Sequence, residues 1–209
     1  MTEKDFQRCL DSHAPIIEQM RHAAHQLHAD VNQHYDGTHP YGFHLDMVAD
    51  GVRRYGAEVC AAEHDVLPLL FGAYYHDSIE DARQTYNDVL ATARRYMDDA
   101  QARMAAEIAY ALTNDKGRTR AERAGENYYR GIRQTPYAPL VKLADRLANT
   151  TYSFTHTNAA NTHMKDVYRQ EMPHFLEAIS TQADDPRLAL PRPMTDAIRQ
   201  LVGLTEHDD

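Results

Sequence analysis

The chain has 209 residues, of which 43% are hydrophobic and 25% are charged. These proportions are those of an ordinary soluble domain, so they exclude a disordered or low-complexity chain and favour one domain over residues 1–209. The 22 lysines and arginines and the 31 aspartates and glutamates give a net charge of −9. Because nucleic-acid polymers and anionic membranes need a cationic surface, both are excluded as partners, and a phosphorylated ligand requires a local exception.

Neither the start of the chain nor its cysteines indicate export. Residues 1–15 contain no apolar segment typical of a signal peptide, and no run of about 18 apolar residues predicts a membrane span. Cys9 and Cys60 are isolated and lack the spacing of a disulfide framework or a thiolate zinc site. We therefore expect a cytoplasmic protein.

Apolar residues recur at intervals of three and four along most of the chain, which predicts helices. The first predicted helix begins near Ile16 and ends before Asp36-Gly37, and no hairpin signal competes with it. On this helix His22, His25 and His28 predict a half-exposed stripe. Further helices are predicted over residues 45–55, 66–78, 86–96, 100–112, 121–132, 138–152 and 160–179, followed by a short terminal helix. The sequence therefore predicts an all-α fold of about eight or nine helices.

Four ionisable groups follow the apolar segment 69–75, in the hexad His76-Asp77-Ser78-Ile79-Glu80-Asp81. If the helix continues through the hexad, His76 lies one turn from Glu80 and Asp77 lies one turn from Asp81. Burying such groups costs several kcal/mol for each unpaired charge, which a bound cation would offset. The alternative is a solvated helix C-terminus. A second His-Asp pair, His64-Asp65, is explained by capping, because Asp65 stands at an N-cap position with Pro68 in the first turn.

The segment 141–149 predicts an amphipathic helix with an aspartate beside its apolar face. Asp145 is flanked by Lys142 and Arg146, and Asn149 follows one turn later. This pattern fits either a buried salt bridge or a metal ligand with phosphate-binding neighbours. His44, at the start of the helix predicted over 45–55, is on its own better explained as a core or capping histidine than as a ligand.

The order of these segments resembles the HD-domain phosphohydrolases, and more narrowly the hydrolase domain of the RelA/SpoT family and its small stand-alone members. PYxxH at residues 40–44 is followed by HDxxED, whose His76 comes 32 residues after His44. KLADRxxN follows, and its Asp145 comes 68 residues after Asp77. The resemblance also includes Thr113-Asn114-Asp115-Lys116 and covers residues 20–155 approximately. Residues 156–209 are expected to form C-terminal helices without an identified chemical role.

The resemblance implies a set of functional residues. One divalent metal ion, usually Mn²⁺ in this family, would be bound by His44, His76, Asp77 and Asp145. Glu80 and Asp81 would be the catalytic pair that positions and deprotonates the attacking water. The substrate-binding residues would be Asn149, Lys142, Arg146 and Lys116. The implied reaction is that of a guanosine 3′,5′-bis(diphosphate) 3′-pyrophosphohydrolase.

Three departures from the family affect the substrate prediction. The Arg-Lys pair late in the family's first helix is replaced by Ala24-His25-Gln26-Leu27-His28, Leu45 replaces a proline, and Tyr152 occupies a threonine position. No implied metal ligand is lost. Two alternatives therefore stay open: a nucleotide or cofactor phosphomonoesterase, and a non-catalytic nucleotide-binding regulator.

The local exception to the acidic charge lies between Asn114 and Arg146. This segment carries eight lysines and arginines and four acids, which is a net charge of +4. Together with a bound cation it predicts a cationic pocket for a small phosphorylated nucleotide.

Overall fold

The computed structural model describes residues 1–114, 118–156 and 158–204. These residues form eleven α-helices: α1 (Glu3–Ser12), α2 (Ala14–Asp30), α3 (Gly42–Tyr55), α4 (Val66–Tyr75), α5 (Tyr86–Ala93), α6 (Asp99–Ala111), α7 (Arg120–Arg123), α8 (Glu126–Gln134), α9 (Ala138–Thr155), α10 (Ala159–Ile179) and α11 (Arg192–Val202). The predicted all-α class is confirmed. The helices outnumber the predicted eight or nine because α1 was not predicted and because the segment expected at 121–132 is divided into α7 and α8 near Gly125.

The helix α4 lies at the centre of the core. All ten of its residues are buried, which is expected of a helix that is apolar on every side. It packs on α3 and α6, while α9 packs on α3, α10 and α11. The predicted core residues of α3, Leu45, Val48 and Val52, are fully buried. The start of α3, the end of α4 and the middle of α9 are thereby brought together.

In the described part of the chain, no helix combines the length and the apolar composition that crossing a membrane would need.

A two-stranded hairpin lies between α2 and α3, where the sequence analysis predicted no hairpin. The strands β1 (His34–Tyr35) and β2 (His39–Pro40) pair antiparallel. Asp36 and Gly37 both have positive φ, 49° and 69°, and the Thr38 amide donates to the Tyr35 carbonyl at 3.2 Å. This is the geometry of a type I′ turn, for which Asp-Gly is a preferred sequence. The prediction was wrong because two-residue strands are too short to show alternation.

The helix α4 ends at Tyr75, three residues before the predicted end and just before the hexad. Side chains take the place of the next helical amides: His76 Nδ1 lies 2.9 Å from the Ala73 carbonyl, and Ser78 Oγ donates to the Tyr75 carbonyl at 2.6 Å. The hexad is therefore a turn, although the Asp81 amide still donates to the Asp77 carbonyl at 2.8 Å. Its ionisable side chains project from the end of the central helix.

Candidate metal centre

Two buried side chains and one partly buried side chain, from distant parts of the chain, converge where α3, α4 and α9 meet. His44 in α3, His76 after α4 and Asp145 in α9 each offer a ligand atom, and these atoms lie within 4.8 Å of one another. His44 Nε2 is 3.3 Å from His76 Nε2 and 3.3 Å from Asp145 Oδ1. The packing of α3 against both α4 and α9 creates this convergence.

Asp77, the fourth ligand implied by the resemblance, lies beside the other three. Its Oδ2 is 3.0 Å from His76 Nε2 and 3.7 Å from His44 Nε2. The structure therefore brings together all four residues that the sequence analysis singled out as metal ligands.

The donor set fits a divalent cation. His76 Nδ1 faces the Ala73 carbonyl, which only accepts hydrogen bonds, so this nitrogen carries a proton and Nε2 is the atom that can exchange its proton for a metal ion. A backbone carbonyl that fixes the tautomer in this way is typical of metal-binding histidines. Imidazole nitrogens and carboxylate oxygens suit ions such as Mn²⁺ and Zn²⁺. The buried group of His44, His76 and Asp145 could thus hold a divalent metal ion.

The electrostatics of the group are those of closely packed, mutually compensating charges. Burial lowers the pKa of His76, but the Asp77 carboxylate, the charge of Asp145 and the Ala73 carbonyl together raise it to about 9. Burial would raise the pKa of Asp145, but the Lys142 ammonium and the two histidines hold it well below its ordinary value. Positive charge is thus needed to keep these carboxylates ionised in the interior.

Glu80 and Asp81 line a cavity of about 320 Å³ next to this group. The side-chain amide of Asn114 donates to both carboxylate oxygens of Glu80, at 2.9 and 2.8 Å, and holds its orientation. Burial and the charge of Asp77 raise the pKa of Asp81 to about 6. Asp81 can therefore exchange a proton near neutral pH, while Glu80 is fixed in place.

The predicted substrate-binding residues line the same cavity, but each has a protein partner. Lys142 Nζ and Asn149 Nδ2 donate to the two oxygens of Asp145, at 2.9 and 2.6 Å. Arg146 Nη1 donates to Glu171 at 3.0 Å, and its guanidinium lies over the ring of Phe175. The first two therefore support a carboxylate ligand directly. Lys116 lies outside the described residues.

Several cavity residues were not predicted as functional. Tyr41, Arg123, Tyr128, Tyr129 and Tyr168 all line the cavity. Tyr41 belongs to the PYxxH motif and could have been found there, whereas Tyr168 lies on α10, in the segment to which the sequence analysis gave no chemistry. Its contribution depends on α10 packing against α9, which no local pattern reports.

Two sequence interpretations need correction. Asp65 occupies the N-cap position of α4 but makes no capping bond, because its carboxylate instead accepts a hydrogen bond from Tyr137 Oη at 2.5 Å. His28 is fully buried rather than half-exposed, because its ring stacks on Tyr41 with the centroids 4.5 Å apart. The side chain of His22 is 71% exposed, as expected of that stripe.

We compared the chain with protein-family models, with curated proteins and with solved structures, and none of the three comparisons found a match.

Proposed function

We propose that this protein is a metal-dependent phosphohydrolase that acts on a small phosphorylated nucleotide, in the manner of the HD-domain enzymes. The observation that carries the proposal is the meeting of His44, His76 and Asp145 beside a cavity whose wall holds Glu80 and Asp81. A metal-ligand group and a carboxylate pair in one pocket are the elements that hydrolysis of a phosphate ester requires.

In this proposal the ligand group and the carboxylate pair have separate tasks. A bound divalent ion would supply positive charge that favours deprotonation of water and offsets the charge of the phosphoryl oxygens. Asp81, with its raised pKa, accepts the proton of the attacking water. Glu80, held by Asn114, orients that water.

The remaining walls of the cavity favour a nucleotide. Arg123, Lys142 and Arg146 provide positive charge, and Tyr128, Tyr129 and Tyr168 provide aromatic surface. The positive charges attract phosphate groups, and the aromatic rings offer surfaces on which a base can stack. Guanosine 3′,5′-bis(diphosphate) is the first substrate to test, because the motif resemblance points to the 3′-pyrophosphohydrolases, for which Mn²⁺ is the expected ion.

The test follows release of pyrophosphate from this substrate with Mn²⁺ and with EDTA. We expect turnover with Mn²⁺ only, and a fall in kcat of about 100-fold or more in Asp81→Asn, because a general base contributes at least that factor. Asp50→Asn is the matched control, since Asp50 makes the same chemical change on the exposed surface of α3. Equal activity in Asp81→Asn and the wild type would refute the assigned role of Asp81.

A phosphomonoesterase is the second candidate, and the pairing of the cavity cations favours it. Lys142 and Arg146 already contact Asp145 and Glu171, and residues 24–28 supply no arginine or lysine. Two diphosphate groups would need more positive charge than one monophosphate. Turnover of nucleoside or cofactor monophosphates in preference to the bis(diphosphate) would select this candidate. Mn²⁺-dependent binding of nucleotides without any turnover would instead select a non-catalytic regulator.

A further inference from the structure

Tyr41 connects the start of α3 to one of the proposed metal ligands. Its Oη donates a hydrogen bond to Asp77 Oδ2 at 2.5 Å, and this same oxygen faces the Nε2 atoms of His76 and His44. The Tyr41 carbonyl accepts the His44 amide at 2.9 Å, so the residue is fixed to the helix that carries His44. The Asp77 carboxylate is therefore contacted both by Tyr41, at the start of α3, and by His76, its neighbour in the turn after α4.

Tyr35, on β1, connects the hairpin to a second proposed ligand through one intermediate. Tyr35 Oη donates to Asn149 Oδ1 at 2.9 Å, and Asn149 Nδ2 donates to Asp145 Oδ1 at 2.6 Å. The ring of Tyr35 also stacks on the ring of His44, with centroids 5.0 Å apart and an interplanar angle of 6°. One hairpin residue thus contacts His44 directly and Asp145 through an amide.

The direction of the Tyr35 hydrogen bond decides which way the amide of Asn149 points. A phenol that donates requires the amide oxygen on its side, which places the amide nitrogen toward Asp145. Without the hydroxyl, the amide can turn and present its oxygen to the carboxylate, which is repulsive. Burial raises the pKa of both Tyr35 and Tyr41, so both phenols keep the proton that they donate.

Both tyrosines are themselves anchored by neighbouring rings. His28 stacks on Tyr41, and Tyr152 meets Tyr35 edge to face at 4.9 Å between centroids. Asp36, Gly37 and Thr38 connect the two strands in the register that places Tyr35 opposite His39. The hairpin and the start of α3 therefore each present one donor at a fixed position.

We infer that Tyr35 and Tyr41 are positioning residues that orient the carboxylates of Asp145 and Asp77 toward a divalent cation. The inference rests on the metal-binding part of the proposed function. It assigns to the hairpin a role that the motif resemblance does not, and it makes Asn149 a link between Tyr35 and Asp145 rather than solely a substrate contact.

The experiment measures Mn²⁺ affinity by calorimetry for the wild-type chain of 209 residues and for its Tyr35→Phe and Tyr41→Phe variants, without any substrate. Phenylalanine keeps each ring stack and removes only the donated hydrogen bond. We expect each variant to bind Mn²⁺ about 10- to 100-fold more weakly, as is usual when a hydrogen bond to a metal ligand is removed. The visible absorption of bound Co²⁺ should shift in both variants, since the ligand arrangement changes.

Tyr86→Phe is the matched control, because Tyr86 Oη donates to the Glu107 carboxylate at 2.7 Å outside the cavity lining. Its Mn²⁺ affinity should stay within twofold of the wild type. Unchanged affinity and an unchanged Co²⁺ spectrum in both Tyr35→Phe and Tyr41→Phe would overturn the inference while leaving the proposed function intact. A wild type that binds neither ion would overturn both.

A double-mutant cycle tests the path through Asn149. In the Asn149→Ala background Tyr35→Phe should change Mn²⁺ affinity by less than about twofold, because the amide that connects Tyr35 to Asp145 is then absent. Tyr41→Phe should keep its full effect there, because it acts on Asp77. Additive effects of Tyr35→Phe and Asn149→Ala would show that Tyr35 does not act through the amide, which would overturn that half of the inference.

Discussion

At the scale of single residues, His28 combines complete burial with an imidazole whose two nitrogens have no hydrogen-bond partner among the described residues. Burial lowers its pKa to about 4, and the nearby charges act in both directions, Asp77 raising it and His76, His44 and His25 lowering it. Between pH 6.5 and 4 the unfolded chain therefore binds a proton at this position that the folded chain does not. Folding stability contributed here is complete above pH 6.5 and decreases as the pH falls.

We predict that His28→Phe makes the protein less sensitive to acid. The variant keeps a ring against Tyr41 and removes the titration, so between pH 7 and 4.5 its free energy of unfolding should fall by about 2–3 kcal/mol less than that of the wild type. Urea unfolding at the two pH values measures the difference. Parallel losses of stability in the wild type and the variant would contradict the assignment of this acid sensitivity to His28.

At the scale of elements, the position of α4 depends on a close approach to α6 at Gly72. A Cβ atom at Gly72 would lie 2.5 Å from Cγ2 of Ile108, a branched side chain that cannot easily turn away. His76 follows directly on α4. The distance between α4 and α6 at Gly72 therefore also sets the position of a proposed metal ligand.

We predict that Gly72→Ala destabilises the fold by about 1–3 kcal/mol through overpacking. Ile108→Ala should relieve part of this cost, so the double variant should be at least about 1 kcal/mol more stable than the sum of the two single effects predicts. Gly131→Ala on α8 is the control: a Cβ there meets no atom of the structurally described part of the chain within 4 Å, so better helix propensity should stabilise by up to about 1 kcal/mol. Chemical denaturation of the four variants measures their free energies of unfolding. If the effects of Gly72→Ala and Ile108→Ala on this free energy simply add, the proposed clash is contradicted.

The long helices could be predicted from the sequence, whereas the end of α4 and the hairpin could not. Long helices such as α3 and α9 follow from apolar residues at intervals of three and four, which are local. The end of α4 did not follow, because it depends on His76 and Ser78 bonding to backbone carbonyls in place of helical amides. The hairpin did not follow either, since Asp36-Gly37 is equally typical of a helix end and of a type I′ turn.

At the scale of the whole molecule, the candidate site is assembled from residues spread along the chain from His44 to Asp145. The motifs predicted that His44, Asp77 and Asp145 belong together, and the packing of α3, α4 and α9 brings them together. Tyr168 and the hydrogen bond from Tyr35 to Asn149 could not be predicted, because each depends on how distant elements pack.

This assembly predicts that a divalent ion stabilises the whole fold. A ligand that binds only the folded state at 100 times its Kd adds about 2.7 kcal/mol, which for a chain of this size raises Tm by roughly 5 to 10 °C. Thermal unfolding followed by circular dichroism, with Mn²⁺ and with EDTA, measures the shift. In His44→Gln, which loses one ligand and keeps the Lys142–Asp145 pair, the shift should be mostly lost. The same shift in this variant as in the wild type would mean that Mn²⁺ stabilises the protein elsewhere, since the His44 ligand would then contribute nothing to the gain.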